Sequence, residues 1–304
     1  MAALKWLRPA AAILLGVALV ALLWEQRPTM HSDDFMQEVD GQPWLIAGLT
    51  DAQIMTPDRP FDPDELQAWR DGEEGGLTRW RRFHLRTNSL GFRGPEVGPK
   101  AKPRVLALGG SVSMGWGVDE EDSWPALVTR DLGIEVLNVG IPGAEPAALA
   151  AWCRAVGPSL DVDALAWVQR LGPEDARHLQ SCVQALGVPA VVVLPPRSLF
   201  DTTSPSEALG GPHPVLDLTP IFRKGQHQGA SLGEEGELLE DGDFVAMRRP
   251  KARSGFLYGP EFEDDSGLRE PLFFDQTHPD EEGALLFASS VGSWLTQLTT
   301  APSD

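Results

Sequence analysis

Apolar runs separated by helical spacing dominate the middle of the chain. VLALGG (105–110), VLNVG (136–140), ALAWVQ (164–169) and AVVVL (190–194) are five or six residues long. Between them, at roughly 123–132, 145–157 and 175–187, apolar residues recur at helical intervals. Short apolar strands alternating with helices predict βαβ units, hence a parallel sheet covered by helices on both faces. In such sheets ligands bind beyond the carboxyl ends of the strands, so the residues just after each run are the ones to inspect.

The pattern changes on either side of this core. WRRFHLR (80–86) reads as a short strand carrying Arg81, Arg82 and Arg86, with Arg79 just before it. This basic cluster is either a solvated edge or a site for an anionic group. Residues 28–83, rich in Asp, Pro and Gly over much of their length, read as a stalk or wrapping segment. Residues 201–270 break the alternation with Pro, Gly, an acidic run and then a basic one, as a lid or insertion does. Asp217, in Val215-Leu216-Asp217-Leu218, is expected at a strand end in a structural role. An amphipathic helix over 279–298 closes the chain, with Asp280, Glu281 and Glu282 favouring its first turn.

PAAAILLGVALVALLW (9–24) has no charge, follows Lys5 and Arg8, and precedes Glu25 and Arg27. It is shorter than the ~20 residues of an average spanning helix, but Ala2, Ala3, Leu4 and Trp6 can extend it. No clean small-x-small cleavage site precedes Trp24. Residues 1–27 are therefore expected to be an uncleaved signal anchor rather than a cleaved signal peptide. The positive flank is N-terminal, which puts the remainder outside the cytoplasm, in the periplasm or extracellular space.

The 304 residues suffice for this segment plus one domain with a full core. A net charge of -19 argues against nucleic acid as a partner, since phosphates would be repelled. The two cysteines, Cys153 and Cys182, show no metal-type spacing. They are either two buried thiols or, after export, a pair.

Ser111 directly follows the first run, in Gly109-Gly110-Ser111-Val112-Ser113-Met114-Gly115. A serine at a strand-to-helix turn is held at the mouth of the sheet, and neighbouring glycines admit substrate. An N-cap or a phosphate-cradling loop is the competing reading. Asp275-Gln276-Thr277-His278-Pro279 supplies an acid three residues before a histidine. That Asp can hold the imidazole tautomer while the other nitrogen takes a serine proton. The order Ser, Asp, His also fits an α/β-hydrolase. The serine at position 113 and the three-residue spacing point away from it.

Gly109-Gly110-Ser111 resembles the first block of the SGNH (GDSL-like) hydrolases, with Gly110 where Asp is usual. Asn138-Val139-Gly140-Ile141-Pro142-Gly143 looks like the second block, and Asp275-x-x-His278 like the fifth. Thr87-Asn88-Ser89-Leu90-Gly91-Phe92-Arg93-Gly94 is similar to a segment preceding the domain in exported, anchored members. The resemblance spans about 84–298 and implies an SGNH domain over 84–304. The implied fold is a flavodoxin-like three-layer α/β/α sandwich with a parallel sheet of about five strands, preceded by an N-terminal hydrophobic helix. It implies a Ser111–His278–Asp275 triad, an oxyanion hole from the backbone N–H groups of Ser111 and Gly143, and no cofactor or metal.

The third block departs from the family. Leu171-Gly172-Pro173-Glu174-Asp175 puts Glu174 or Pro173 where an amide donor is usual. An ionised carboxylate there repels an oxyanion, and losing one donor costs on the order of 10²–10³ in rate. Weak activity on small, activated esters is the expectation, with Gln169 and Arg170 as substitute donors. His84, His178, His213 and His227 lack partners at metal spacing and read as surface residues. Trp124 reads as core packing, and Trp116 as core or pocket wall.

The leading function is a serine esterase acting on an acyl or O-acetyl ester, small or glycan-linked, outside the cytoplasm. An acyltransferase with the same triad is a close variant. A catalytically silent scaffold or binding protein is the other class, favoured by Gly110 and Glu174 and opposed by Ser111, Asp275 and His278.

Overall fold

The structure is a computed structural model that describes residues 29–30, 35–39, 42–57, 80–172, 175–196, 212–222, 224, 272–274 and 277–300. Residues 1–27, expected as the anchor, lie outside the described residues, as does most of the 201–270 insertion. Among the described residues no helix is long and apolar enough to cross a membrane.

The N-terminal part forms five short strands: β1 (Thr29–Met30), β2 (Met36–Val39), β3 (Gln42–Leu45), β4 (Ala52–Pro57) and β5 (Trp80–Leu85). β4 lies between β1 and β5, antiparallel to β5, while β2 and β3 form a hairpin. Phe35, Leu45, Ile54, Phe83 and Leu85 are buried in one cluster with Met114, Trp116 and Phe274. Part of the segment read as a stalk or wrapping segment thus packs against the loop that follows Ser111.

The α/β part then runs β6 (Arg104–Gly109), α1 (Ser111–Met114), α2 (Trp124–Leu132), β7 (Glu135–Gly140), α3 (Pro146–Val156), β8 (Ala164–Val168), α4 (Ala176–Leu186), β9 (Ala190–Leu194), β10 (Val215–Asp217) and α5 (Glu281–Thr300). The last five strands make one parallel sheet in the order β10-β9-β8-β6-β7. Taken in chain order this is 2-1-3-4-5, the flavodoxin-like arrangement, and it reverses direction between β6 and β8. The fifth strand falls inside the stretch read as an insertion.

β6, β8 and β9 are buried along their whole length, which is why they read as continuous apolar runs. Their side chains alternate between faces. Leu106, Leu108, Leu165 and Trp167 pack with Leu149, Trp152 and Leu179 of α3 and α4. Val105, Ala107, Ala166 and Val193 pack with Trp124, Phe287 and Val291 of α2 and α5. Cys153 of α3 and Cys182 of α4 are joined as a disulfide, with Cα atoms 5.5 Å apart.

The outer edge of β7 is closed rather than left to pair with another chain. Thr129 Oγ1 accepts from the Val136 N–H at 3.1 Å, and the Arg93 N–H donates to the Asn138 carbonyl at 3.2 Å. The Asn138 side chain accepts from the Gly140 N–H at 3.1 Å.

Candidate active site

Ser111 opens α1 immediately beyond β6, so it stands where the strand order reverses, the position at which sheets of this type bind ligands. A Cβ on Gly140 would lie 2.1 Å from the Met114 nitrogen, so a glycine is needed for α1 to rest on the end of β7. The following turn is held from outside by Arg93. Its guanidinium donates to the carbonyls of Met114 (3.0 Å), Gly115 (2.6 Å), Val118 (2.6 Å) and His84 (3.3 Å). Asn138 Nδ2 also donates to the Met114 carbonyl, at 3.0 Å. Burial pushes the Arg93 pKa down to about 10, against the pull of Glu120, Asp119 and Glu121, so it stays cationic at neutral pH. Four backbone carbonyls accept hydrogen bonds from that buried charge.

His278 comes from a segment tied at both ends. The Phe274 N–H donates to the His278 carbonyl at 3.1 Å, and the Asp280 N–H donates to the Leu272 carbonyl at 3.0 Å. Asp280 caps α5 by accepting the Gly283 N–H on Oδ1 at 3.0 Å. Leu272 takes a left-handed φ of 73°, a conformation that costs a branched residue on the order of 1–3 kcal/mol and is tolerated where its surroundings fix it. The Phe274 ring stacks on the imidazole with centroids 5.7 Å apart and planes 16° apart. The Arg81 guanidinium lies over Phe274, 4.7 Å from its centroid, donates to the Gly117 carbonyl and pairs with Glu281. Trp116 sits 6.2 Å from His278 and donates to Thr56 Oγ1 at 2.9 Å, tying the site to the small N-terminal sheet.

These supports bring His278 Nε2 to 2.8 Å from Ser111 Oγ, although 167 positions separate the two residues. That is the distance over which a base takes a hydroxyl proton.

Gly143 lies in the turn after β7. The Ala144 N–H donates to the Ile141 carbonyl at 3.1 Å, Pro142 precedes, and Gly143 has φ 71°. Proline second and a left-handed glycine third fit a type II turn. The bond that closes the turn uses the Ala144 N–H, not that of Gly143. Gln169 Nε2 donates to the Ala144 carbonyl at 3.0 Å, whereas Arg170 Nη2 donates to the Pro195 carbonyl at 2.6 Å. In the third-block stretch Asp175 Oδ2 accepts the Gly172 N–H at 2.8 Å. Asp275, Pro173 and Glu174 lie outside the described residues.

The basic cluster divides. Arg81 is buried beside the site, Arg82 is exposed, and Arg86 pairs with Glu120 at the surface, while Arg79 lies outside the described residues. Neither a solvated edge nor a site for an anionic ligand describes Arg81, which is buried and paired with Glu281. Its signal was alternation, because Arg81 shares the inward row of β5 with Phe83 and Leu85. Arg93 and Phe274 were also missed as supports; their neighbours are distant in sequence. Trp124 is core, stacked on Phe287 at 5.0 Å. His84 pairs with Asp119 at 3.1 Å, and His227 lies outside the described residues. Among the described residues no group of three or more His, Cys, Asp or Glu side chains converges as a metal cage does.

No protein-family model and no curated protein matches the chain. Among solved structures it is similar to a lipolytic protein of the G-D-S-L family from Desulfitobacterium hafniense DCB-2. The identity is 17%, the TM-score 0.39, and 62% of this chain and 98% of that one are covered. It is similar to a salicylyl-acyltransferase from a tetracycline biosynthetic pathway at 17% identity and TM-score 0.38, covering 72% of this chain and 65% of that one. A gut microbial diltiazem-metabolizing enzyme is similar at 12% identity and TM-score 0.34; the match covers 67% of this chain and about half, 49%, of that one.

Proposed function

We propose that the chain is an SGNH-type serine ester hydrolase that acts on an acyl or O-acetyl ester outside the cytoplasm. The observation that carries this reading is the 2.8 Å contact between Ser111 Oγ and His278 Nε2 at the reversal point of the sheet. Ser111 attacks the ester carbonyl while His278 takes the hydroxyl proton. The carbonyl electron pair moves to oxygen, and the Ser111 and Gly143 backbone N–H groups hold that charge. Collapse expels the alcohol, protonated by His278, and leaves Ser111 acylated. Water activated by His278 then releases the acid. Asp275 orients the imidazole.

The Cys153–Cys182 disulfide supports an oxidising compartment, in keeping with export. Residues 1–27 serve as the membrane anchor in this reading, with the positive flank in the cytoplasm.

The test is hydrolysis of a short-chain aryl ester by the wild type and by Ser111→Ala. Turnover by the wild type that falls on the order of 10⁴-fold or more in the variant is expected. Equal rates for the two proteins would remove Ser111 from the chemistry. No turnover by either would favour the silent scaffold.

A further inference from the structure

Two rings adjoin the His278 imidazole, and both rest on the inward row of β5. Phe274 lies nearly parallel to the imidazole, with centroids 5.7 Å apart and planes 16° apart. Trp116 stands 6.2 Å away, tilted by 39°. Phe83 of β5 meets Trp116 edge-on at 5.2 Å, and the guanidinium of Arg81, two residues earlier on the same row, lies over Phe274 at 4.7 Å. A strand of the small N-terminal sheet thus supports the surroundings of a residue near the other end of the chain.

An arginine in an otherwise apolar inward row loses its water, and partners must offset that cost. Arg81 has two. Its Nε donates to the Gly117 carbonyl, and its Nη2 pairs with Glu281, although 200 positions separate Arg81 from Glu281. Gly117 lies three residues beyond α1, on the loop that follows Ser111. Glu281 opens α5, three residues after His278. One planar group therefore joins the nucleophile loop to the histidine segment. A Cβ on Gly117, whose φ is 81°, would come 2.1 Å from Phe274 Cζ, so the Phe274 ring also touches that loop. A buried ion pair contributes little net stability, because desolvation offsets the attraction. What the arginine fork supplies is fixed geometry, which a point donor such as lysine does not. The Phe274 N–H already holds the His278 backbone through its carbonyl, at 3.1 Å. The aim of the ring remains to be set, and the flat face of Phe274 restricts it.

We propose that Arg81 is a positioning residue for the general base: by holding Gly117 and Glu281 and covering Phe274, it fixes the ring on which the His278 imidazole lies and so keeps Nε2 aimed at Ser111 Oγ. The inference rests on the hydrolase reading. Arg81 touches neither substrate nor the reacting atoms and moves no proton. It acts through Phe274, and β5 is in this way part of the working site.

The test compares full-length wild type, Arg81→Met, Arg81→Lys, Phe274→Leu and the double variant Arg81→Met/Phe274→Leu on a short-chain aryl ester. The rate and the endpoint of Ser111 labelling by a fluorophosphonate are followed in parallel. Arg81→Met is expected to lose ~10–100-fold in kcat with KM within about threefold, and Arg81→Lys to fall between it and the wild type. Labelling should slow by the same factor as kcat yet still reach the wild-type endpoint. Mere loss of folded protein would lower the endpoint instead. Because Arg81 acts through Phe274, the double variant should be no slower than the slower single one. Losses that multiply overturn the proposal, as does wild-type kcat in a folded Arg81→Met or a rise in KM alone. If Arg81→Met fails to fold, Arg81→Lys decides: wild-type kcat in it overturns the proposal. An inert wild type whose Ser111 is not labelled overturns the hydrolase reading and this inference with it. An active wild type with indifferent variants overturns the inference alone.

Discussion

The two faces of the parallel sheet are covered by helix pairs that carry different things. On one face α3 and α4 pack through leucines, Trp152 and a buried disulfide. On the other, α2 and α5 pack through Trp124, Phe287 and Val291, and α5 starts three residues after His278. On the first face the Gly143 turn, three residues before α3, is the connection to the proposed site. On the second face, packing and chemistry share the same connections. The Asp280 cap, the Leu272 strain and the Glu281–Arg81 pair all lie within the segment that presents His278. Arg93 extends this coupling to the nucleophile, through the carbonyls after α1.

Substitutions on the two faces should therefore separate kinetics from stability. His278→Ala is expected to lower kcat by on the order of 10⁴–10⁶ with little change in unfolding midpoint; steady-state rates and a thermal melt check both. Arg93→Lys keeps the charge but offers a point donor in place of a fork. It should cost ~10–100-fold in turnover, because the nucleophile turn shifts, together with a lower midpoint. Wild-type turnover in Arg93→Lys would uncouple the turn from the site. The paired change Cys153→Ala and Cys182→Ala should leave kcat and KM unaltered. It should lower unfolding stability in denaturant by about 3–4 kcal/mol, as expected for a closed loop with a separation of 29 residues. A kinetic defect in that double variant would break the contrast between the faces.

The α/β rhythm was readable because parallel strands buried on both sides leave unbroken apolar runs. The helices at Trp124–Leu132, Pro146–Val156 and Ala176–Leu186 fall within a residue or so of the spacing that predicts them. The strand end expected at Asp217 is where β10 stops, although the composition around it reads as an insertion. Of the small N-terminal strands only β5 was readable, as WRRFHLR; the others were hidden for a different reason. β2 has mixed, mostly exposed side chains, and buried residues such as Phe35 and Ile54 come singly, each meeting partners far away in sequence. Ser111 and His278 could be singled out locally, by a glycine pair and by an acid three residues upstream. Arg93 and Gln169 work on backbone carbonyls, which leave no mark in a sequence.

The central claim is that Ser111 is a nucleophile activated by His278. Labelling the intact protein with a fluorophosphonate, followed by mass mapping of the modified peptide, tests it directly. The label should fall on Ser111 alone, be absent from Ser111→Ala, and form far more slowly in His278→Ala. No labelling of the folded wild type, or labelling that persists in Ser111→Ala, would contradict the account.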